Sequence, residues 1–290
     1  MNNIEIKGVT KNYKNDVKGL DNVTFSIDSG VFGLLGHNGA GKTTLMKAIS
    51  TIMKPTSGAI SVMGHDTMRE GDAVRECIGY LPQELNMYPS LTVFEFVSYM
   101  AGLKGIHEKS NIQKVLEQVD MQEFSHRKIG QLSGGMKRRV GIAQALVGNP
   151  QILIVDEPTA GLDPEERVRF RSVLSRFAKD GRTVLLSTHL VEDVYQLCEH
   201  LAVLRRGRLF FSGTPHELLQ NVHGKIKILN LKNEQDLIAL QKNVVVISTT
   251  YEGDQIKARF MDENNTYMAP PVSETLEDAY VYCMGGKANE

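Results

Sequence analysis

The sequence predicts an α/β protein with a mostly parallel sheet, because short buried strands alternate with helices along the chain. Apolar runs of strand length lie at Val31 to Gly36, Ile152 to Val155 and Val184 to Leu186. A helical pattern follows each of these runs. Such alternation favours a sheet that is covered by helices on both faces.

The helices after these strands are predicted from apolar residues that recur at helical spacing. We expect the resulting stripes to face the sheet. They comprise Leu45, Ile49 and Ile52 after the first strand, Phe170, Val173, Leu174 and Phe177 after the second, and Val191, Val194, Tyr195 and Cys198 after the third.

Two segments depart from this alternation. The pattern is helical over about 85–148, where Thr92 and Glu95 form a capping box. The first ~30 residues and Gly58 to Gly64 are rich in strand formers. We therefore expect an inserted helical subdomain and a small antiparallel β subdomain beside the core.

A separate C-terminal part is indicated by a change of pattern near residue 220. Its predicted strands are 225–231, 244–250 and 255–260, and its predicted helices are 233–241 and 275–284. We expect a first domain at 1–220 and a small α+β extension at 221–290.

The composition is that of an ordinary globular protein and excludes several other classes. Thirty-three Lys and Arg residues balance 34 Asp and Glu residues, so the basic excess of a general nucleic-acid binder is missing. No apolar run approaches the ~18–20 residues of a membrane helix, and Met1 to Thr10 lacks the apolar region of a secretory signal. Cys77, Cys198 and Cys283 lie far apart, which predicts neither a disulfide framework nor a zinc site.

A glycine-rich loop lies between the first buried strand and its helix. Its sequence fits G-x-x-x-x-G-K-[ST], the P-loop pattern, in which backbone N–H groups and a helix N-terminus surround phosphate oxygens. Lys42 would reach the β- and γ-phosphates, and Thr43 would bind Mg²⁺. We expect Lys42 to be exposed, so that its replacement removes little packing. The candidate phosphate-binding residues are Gly36, His37, Asn38, Gly39, Ala40, Gly41, Lys42, Thr43 and Thr44.

Two carboxylates, Asp156 and Glu157, end the second buried strand. Asp156 would hold the metal directly or through water, and Glu157 is placed to act as general base for an attacking water. The alternative is a strand-end turn with solvated acids, which the presence of a P-loop disfavours.

The segment Leu132-Ser133-Gly134-Gly135-Met136 precedes another helical pattern. Ser133 can be the N-cap of that helix, followed by two flexible glycines. Ser133, Gly134 and Gly135 can also present a second set of phosphate-facing N–H groups. A P-loop protein with two such sites requires an explanation.

With these motifs the chain resembles the nucleotide-binding subunits of ATP-binding cassette (ABC) transporters over about residues 2–220, which implies a P-loop NTPase core. LSGGM is similar to the LSGGQ signature of that family, and we expect Met136 to change helix packing more than chemistry. The resemblance implies ATP and Mg²⁺ as cofactors. The other residues that match family motifs are Gln83 at the metal and water, Asp163 in the D-loop, His189 at the γ-phosphate and Tyr13 on adenine.

The resemblance further implies an ATPase in which two copies, expected as a homodimer, sandwich ATP between the P-loop of one and Ser133 to Gly135 of the other. The C-terminal extension resembles that of bacterial exporter subunits whose integral-membrane permease is a separate chain. We therefore expect a peripheral location at the cytoplasmic face of the cell membrane and no nucleic-acid partner. The alternatives are an importer subunit and a soluble cassette ATPase that acts on ribosomes or DNA.

The segment Leu85 to Tyr99 and the residue Asp163 each allow two interpretations. Leu85 to Tyr99 is the candidate docking surface for the permease, because this neighbourhood receives a cytoplasmic helix of the membrane subunit in the family. Its apolar residues Met87, Tyr88 and Pro89 could instead pack into the core of the chain. Asp163 before Pro164 is also a good helix N-cap, and both roles can hold.

Overall fold

The computed structural model describes residues 2–14, 17–159, 161–179, 181–253 and 255–285. The chain divides into two compact units, Met1–Leu209 and Phe210–Glu290. The domain boundary expected at residue 220 stays a prediction.

The strands of the first unit are β1 (Ile4–Asn12), β2 (Lys18–Ile27), β3 (Gly30–Leu35), β4 (Ser57–Val62), β5 (His65–Asp66), β6 (Ile78–Leu81), β7 (Ile152–Asp156), β8 (Thr183–Thr188) and β9 (His200–Arg205). Its helices are α1 (Lys42–Ile49), α2 (Gly71–Cys77), α3 (Val93–Leu103), α4 (Lys109–Gln118), α5 (Gly134–Leu146), α6 (Pro164–Phe177) and α7 (Val191–Leu197). Strand β10 (Arg208–Gly213) begins in the first unit and ends in the second. The second unit contains α8 (Pro215–Gln220), β11 (Ile226–Leu231), α9 (Glu234–Gln241), β12 (Val245–Glu252), β13 (Gln255–Met261) and α10 (Leu276–Gly285).

The predicted parallel sheet is confirmed. Strands β9, β3, β8, β7 and β6 lie side by side in that order, and each neighbouring pair is parallel. Strands β7 and β8 are buried along their whole length, as expected for strands covered on both faces. The carboxyl ends of β3, β7 and β8 meet at one edge of the sheet, where open α/β sheets bind ligands.

The small antiparallel sheet is also confirmed. Strand β1 pairs with β2 and β4, and β4 pairs with β5. Its residues Ile4, Ile6 and Val23 are buried in the same apolar cluster as Leu45 and Ile49 of α1. Helix α1 is therefore packed in a core that both sheets share, which fixes the loop before it.

Helices α3, α4 and α5 confirm the helical insertion. Thr92 and Glu95 form the expected capping box: the Glu95 N–H donates to Thr92 Oγ1 at 3.2 Å, and the Thr92 N–H donates to Glu95 Oε2 at 2.8 Å. Met136 is buried in α5, in keeping with a packing role.

Two residues expected in the apolar stripes lie outside the core. Helix α1 ends at Ile49, so Ile52 lies beyond the helix and is exposed. Tyr195 is exposed on α7, because this short helix buries Asp193 and Val194 instead. The stripe of α6 is buried at every predicted position.

The second unit is an antiparallel sheet, with β13 between β11 and β12, that packs against α9. Two of its ion pairs involve buried carboxylates. Buried Lys227 contacts Asp262 at 2.9 Å, and Arg259 contacts Asp278 of α10 at 2.5 Å. The strands and helices of this unit match the predicted α+β extension.

Among the described residues, the structure contains no helix with the length and apolar character required to cross a lipid bilayer.

Candidate functional site

The candidate phosphate-binding loop connects β3, which ends at Leu35, to α1, which begins at Lys42. Gly41 is the N-cap of α1, with a φ of 106° in the left-handed region that favours glycine. A Cβ atom at this position would lie 2.5 Å from the carbonyl oxygen of Gly19. Because Gly41 has no side chain to cap α1, the first N–H groups of the helix remain available to an anion.

The loop has an exposed side and a buried side. His37, Asn38 and Gly39 are exposed, whereas Gly36 and Ala40 are buried. Phosphate oxygens could therefore approach the backbone of the loop from the exposed side.

Tyr13 lies beside the first turn of α1. Its hydroxyl oxygen is 3.1 Å from Thr44 Oγ1 and 3.5 Å from Met53 Sδ. Thr43, on the same turn, is half-buried. Tyr13 is 40% exposed, so its hydroxyl group is held by these contacts while part of the residue is open to a stacking partner. Its adenine-binding role stays a prediction.

Lys42 is buried rather than exposed, so the expectation that its replacement removes little packing is wrong. Its side chain is only 4% exposed. The ammonium group donates hydrogen bonds to the carbonyl oxygens of Gly36, at 2.6 Å, and His37, at 3.3 Å. It also lies 3.1 Å from Glu157 Oε1. The buried carboxylate and the loop carbonyls explain how a lysine can be held inside the protein.

Glu157 follows β7 and lies between two other predicted site residues. Its Oε1 contacts Lys42, and its Oε2 lies 3.4 Å from Nδ1 of His189, which follows β8 and is exposed. Glu157 has a φ of 45°, which is unfavourable for a residue other than glycine. Such strained backbone conformations occur preferentially at functional sites. The structure thus brings together candidate residues from three separate segments.

Asp156 is buried at the end of β7. Its Oδ1 accepts a hydrogen bond from Ser187 Oγ at 2.5 Å, whereas its Oδ2 has no hydrogen-bond partner among the described residues. A buried carboxylate oxygen without a donor is unfavourable. Carboxylate oxygens are ligands that Mg²⁺ prefers, so Asp156 fits a magnesium site. Burial, together with the charge of Asp156, raises the pKa of Tyr80 to about 12.

The candidate signature segment begins α5. Ser133 is the predicted N-cap, and its Oγ accepts a hydrogen bond from the Met136 N–H at 3.2 Å. Ser133 and Gly134 are exposed, whereas Gly135 is buried, and a Cβ atom there would overlap the carboxylate of Glu166. Within the part of the chain that the structure describes, no hydrogen bond or ion pair joins this segment to the P-loop.

Asp163 and Gln83 lie on two further loops. Asp163 is the N-cap of α6, as predicted: its Oδ1 accepts from the Glu166 N–H at 2.8 Å, and Pro164 is the first helical residue. Gln83 is exposed after β6, and its carbonyl oxygen accepts from Arg138 Nη1 at 2.6 Å. The D-loop and metal-binding roles stay predictions.

The candidate docking surface includes a pair of exposed tyrosines. Tyr88 is 55% exposed, and its ring meets that of Tyr99 edge to face, with the centroids 6.2 Å apart. Pro89 is also exposed. The alternative that these residues pack into the core is therefore wrong for Tyr88 and Pro89.

Sequence reasoning missed two residues that contact the site. The Ser187 hydroxyl contacts Asp156, and Arg138 of α5 holds the loop at Gln83. A serine within the buried strand β8 is a signal that could have identified Ser187. Nothing in the spacing distinguishes Arg138 from a surface arginine.

A parallel sheet whose strand ends carry a phosphate loop and paired acids defines the class of P-loop nucleotide-binding proteins. The family described as ABC transporter matches residues 20–160. "Nod factor export ATP-binding protein I" of Burkholderia thailandensis is 39% identical over 230 residues, which cover 76% of this chain and 74% of the relative. The protein of the same name from Rhizobium sp. is 36% identical over 248 residues, with coverages of 82% and 79%.

Solved structures agree with these relatives. A dimeric ATP-binding cassette in a post-hydrolysis state with ADP and Pi is 28% identical, with a TM-score of 0.66 over 73% of this chain and 98% of that chain. A Clostridium perfringens protein described as part of an ABC transporter complex is 29% identical, with a TM-score of 0.69 over 76% and 91%. The chain therefore belongs to the ABC transporter family as an ATP-binding subunit, and it is an ATPase. The predicted family, fold class and ATPase activity are confirmed.

Proposed function

We propose that this chain powers an ABC exporter through a separate integral-membrane permease, to which it binds at the cytoplasmic face of the cell membrane. Two copies form a homodimer that encloses ATP and Mg²⁺. The relatives from Burkholderia and Rhizobium are named as export ATP-binding proteins, which supports export over import. The chain carries a net charge of -1, so the proposal includes no nucleic-acid partner.

The position of Glu157 between Lys42 and His189 is the observation that carries the catalytic part of the proposal. When phosphate oxygens take the contacts of Lys42, the Glu157 carboxylate is left to orient the attacking water and accept its proton. His189 is close enough to Glu157 to contact the γ-phosphate in the same arrangement. Gln83 assists from its exposed loop by contacting the water.

Magnesium would be held by Asp156 and Thr43, with Gln83 as a further contact. The unpaired Oδ2 of Asp156 supports this assignment, because it is a buried oxygen that lacks a donor. A bound magnesium ion neutralises the charge that develops on the phosphates during transfer. The remaining P-loop residues contribute backbone N–H groups and position the phosphates.

The second phosphate-binding segment would act on the ATP held by the other copy. Ser133 and Gly134 are exposed at the start of α5, so the N–H groups of this helix can face a nucleotide outside their own chain. Asp163 is exposed at the start of α6 and would lie at the same interface. This arrangement explains why one chain carries two phosphate-binding segments.

The permease would dock on the surface formed by Leu85 to Tyr99. Adjacent exposed aromatic side chains are typical of protein-binding surfaces, and Tyr88 and Tyr99 provide such a pair. Because this surface follows Gln83 directly in the chain, docking of the permease and rearrangement of the nucleotide site would be coupled.

Tyr88→Asp tests the docking surface. The chain is co-expressed with a candidate permease, an integral-membrane protein, and its recovery on purified membranes is measured. We expect the variant to lose recovery on membranes while it keeps its ATP affinity and melting temperature. Tyr251→Asp replaces an equally exposed tyrosine of the second unit and should retain recovery.

Normal membrane recovery of Tyr88→Asp would contradict the docking surface. If the wild-type protein does not bind the membrane protein but sediments with ribosomes or binds DNA, the alternative of a soluble cassette ATPase is favoured. ATP-driven transport into the cytoplasm by the assembled complex would favour the importer.

A further inference from the structure

Ser187 is a buried polar side chain of β8 that directly follows the aliphatic run Val184 to Leu186. It is 0% exposed, and the parallel pairing of β7 with β8 places it opposite Asp156. A hydroxyl group in such a position needs a partner for its proton and a partner for its oxygen. Both partners come from the two acids at the end of β7.

The proton of the Ser187 hydroxyl is donated to Asp156 Oδ1 at 2.5 Å. Asp156 Oδ2 is the buried oxygen that lacks a hydrogen-bond partner among the described residues. The hydroxyl therefore fixes the rotation of the carboxylate and determines which oxygen is available to a cation or its water shell. Partners of this kind commonly orient metal ligands.

The oxygen of the same hydroxyl accepts a hydrogen bond from the Glu157 N–H at 2.9 Å. The carbonyl oxygen of Ser187 lies 3.2 Å from the same nitrogen. Glu157 has a φ of 45°, which a side-chain-bearing residue keeps only where its surroundings hold it. These bonds stabilise the backbone turn that directs the Glu157 carboxylate at Lys42 and His189.

We propose that Ser187 is a positioning residue that holds the Asp156 carboxylate and the Glu157 backbone as one unit. Its single hydroxyl keeps the two acids in different roles: Asp156 presents one oxygen to the cation, and Glu157 presents its carboxylate to the water. This inference rests on the proposed roles of the two acids. It adds a residue that lies outside the motifs that identified the site.

Ser187→Ala removes the hydroxyl group and little volume. We expect the Mg²⁺ concentration that gives half-maximal Mg²⁺-dependent ATP binding to rise ~10–100-fold, the range typical of changes around metal ligands. The value of kcat should fall by a similar factor. ATP affinity in EDTA should be unchanged, because the P-loop is intact. Ser187→Thr keeps a hydroxyl and should restore most of the magnesium response.

A matched control on the same strand distinguishes the positioning role of Ser187 from a purely structural role. Thr183→Val removes another buried hydroxyl of β8, which donates to the Asp28 carbonyl oxygen at 3.0 Å. We expect this variant to lower the melting temperature without changing the magnesium midpoint. If Ser187→Ala does not fold, Ser187→Cys has a similar size but is a weak donor and should show the same shift.

Asp156→Asn, measured in the same ATP-binding assay, separates the two possible failures. If it raises the magnesium midpoint while Ser187→Ala and Ser187→Cys leave it at the wild-type value, the Ser187 inference is overturned and the proposed metal site stands. If Asp156→Asn also keeps the wild-type midpoint, the metal-binding role of Asp156 fails, and the inference fails with it.

Discussion

The ammonium group of Lys42 lies 3.1 Å from the carboxylate of Glu157, and both side chains are buried. The lysine of the phosphate loop and the proposed general base therefore share a contact for which phosphate oxygens must compete. A nucleotide that takes Lys42 changes the electrostatic surroundings of Glu157. The contact thus couples phosphate binding to the state of the base.

Lys42→Ala is expected to abolish tight ATP binding and also to destabilise the protein. The variant leaves Glu157 buried without its cation, and breaking a buried ion pair in this way typically costs about 3–5 kcal/mol. The double variant Lys42→Ala/Glu157→Gln should regain most of the melting temperature but no ATP binding. Both effects are measured by thermal unfolding and equilibrium ATP binding. The proteins compared are the wild type, Lys42→Ala, Glu157→Gln and the double variant.

Lys47→Ala is the control for the Lys42 variants, since it replaces another lysine of α1, and it should retain ATP binding. A wild-type melting temperature for Lys42→Ala would contradict the stabilising role of the buried pair. Near-normal ATP hydrolysis by the same variant would contradict the P-loop assignment.

Glu157→Gln is expected to keep ATP binding and to lose turnover by ~10²–10⁴-fold, the usual scale for a general base. The amide cannot accept the proton of water, while Asp156 still supports the metal. ATP should then accumulate in a stable dimer, which light scattering detects. Glu117→Gln, an exposed acid of α4, should behave as wild type. Hydrolysis by Glu157→Gln at close to the normal rate would be the opposite result.

Much of the fold can be predicted from local patterns. Strands β3, β7 and β8 are predictable because buried parallel strands are continuous apolar runs. The predicted end of strand β13 (Gln255–Met261) is also correct to within one residue. Strand β6 (Ile78–Leu81) has only four residues, too few to show a period, and its place in the sheet depends on pairing with β7.

The candidate site was predictable as motifs but not as contacts. The P-loop and the two acids are recognisable because each motif is continuous in sequence. The burial of Lys42 was not predictable from its loop, because the compensating carboxylate of Glu157 comes from a distant strand. The role of Ser187 depends in the same way on the register between β7 and β8.

The geometry of α5 decides which variant can test a shared nucleotide site. A side chain at Gly135 would collide with Glu166, whereas a Cβ atom at Gly134 meets no atom within 4 Å. Gly134→Asp therefore places a carboxylate where it repels phosphate, and an acid in the first turn is compatible with a helix. Gln113→Asp, an exposed position of α4, controls for the added charge in the helical subdomain.

The ATPase activity of mixed dimers tests whether two chains share each nucleotide site. Two inactive chains, Lys42→Ala/Glu157→Gln and Gly134→Asp, are combined, and mixing is verified with distinct tags. If the sites are shared, each mixed dimer contains one intact site, and random pairing restores roughly a quarter of the sites by symmetry counting. We predict ATPase activity clearly above that of either parent. Verified mixed dimers with no activity above the parents would contradict the shared site, unless strict two-site cooperativity is demonstrated separately.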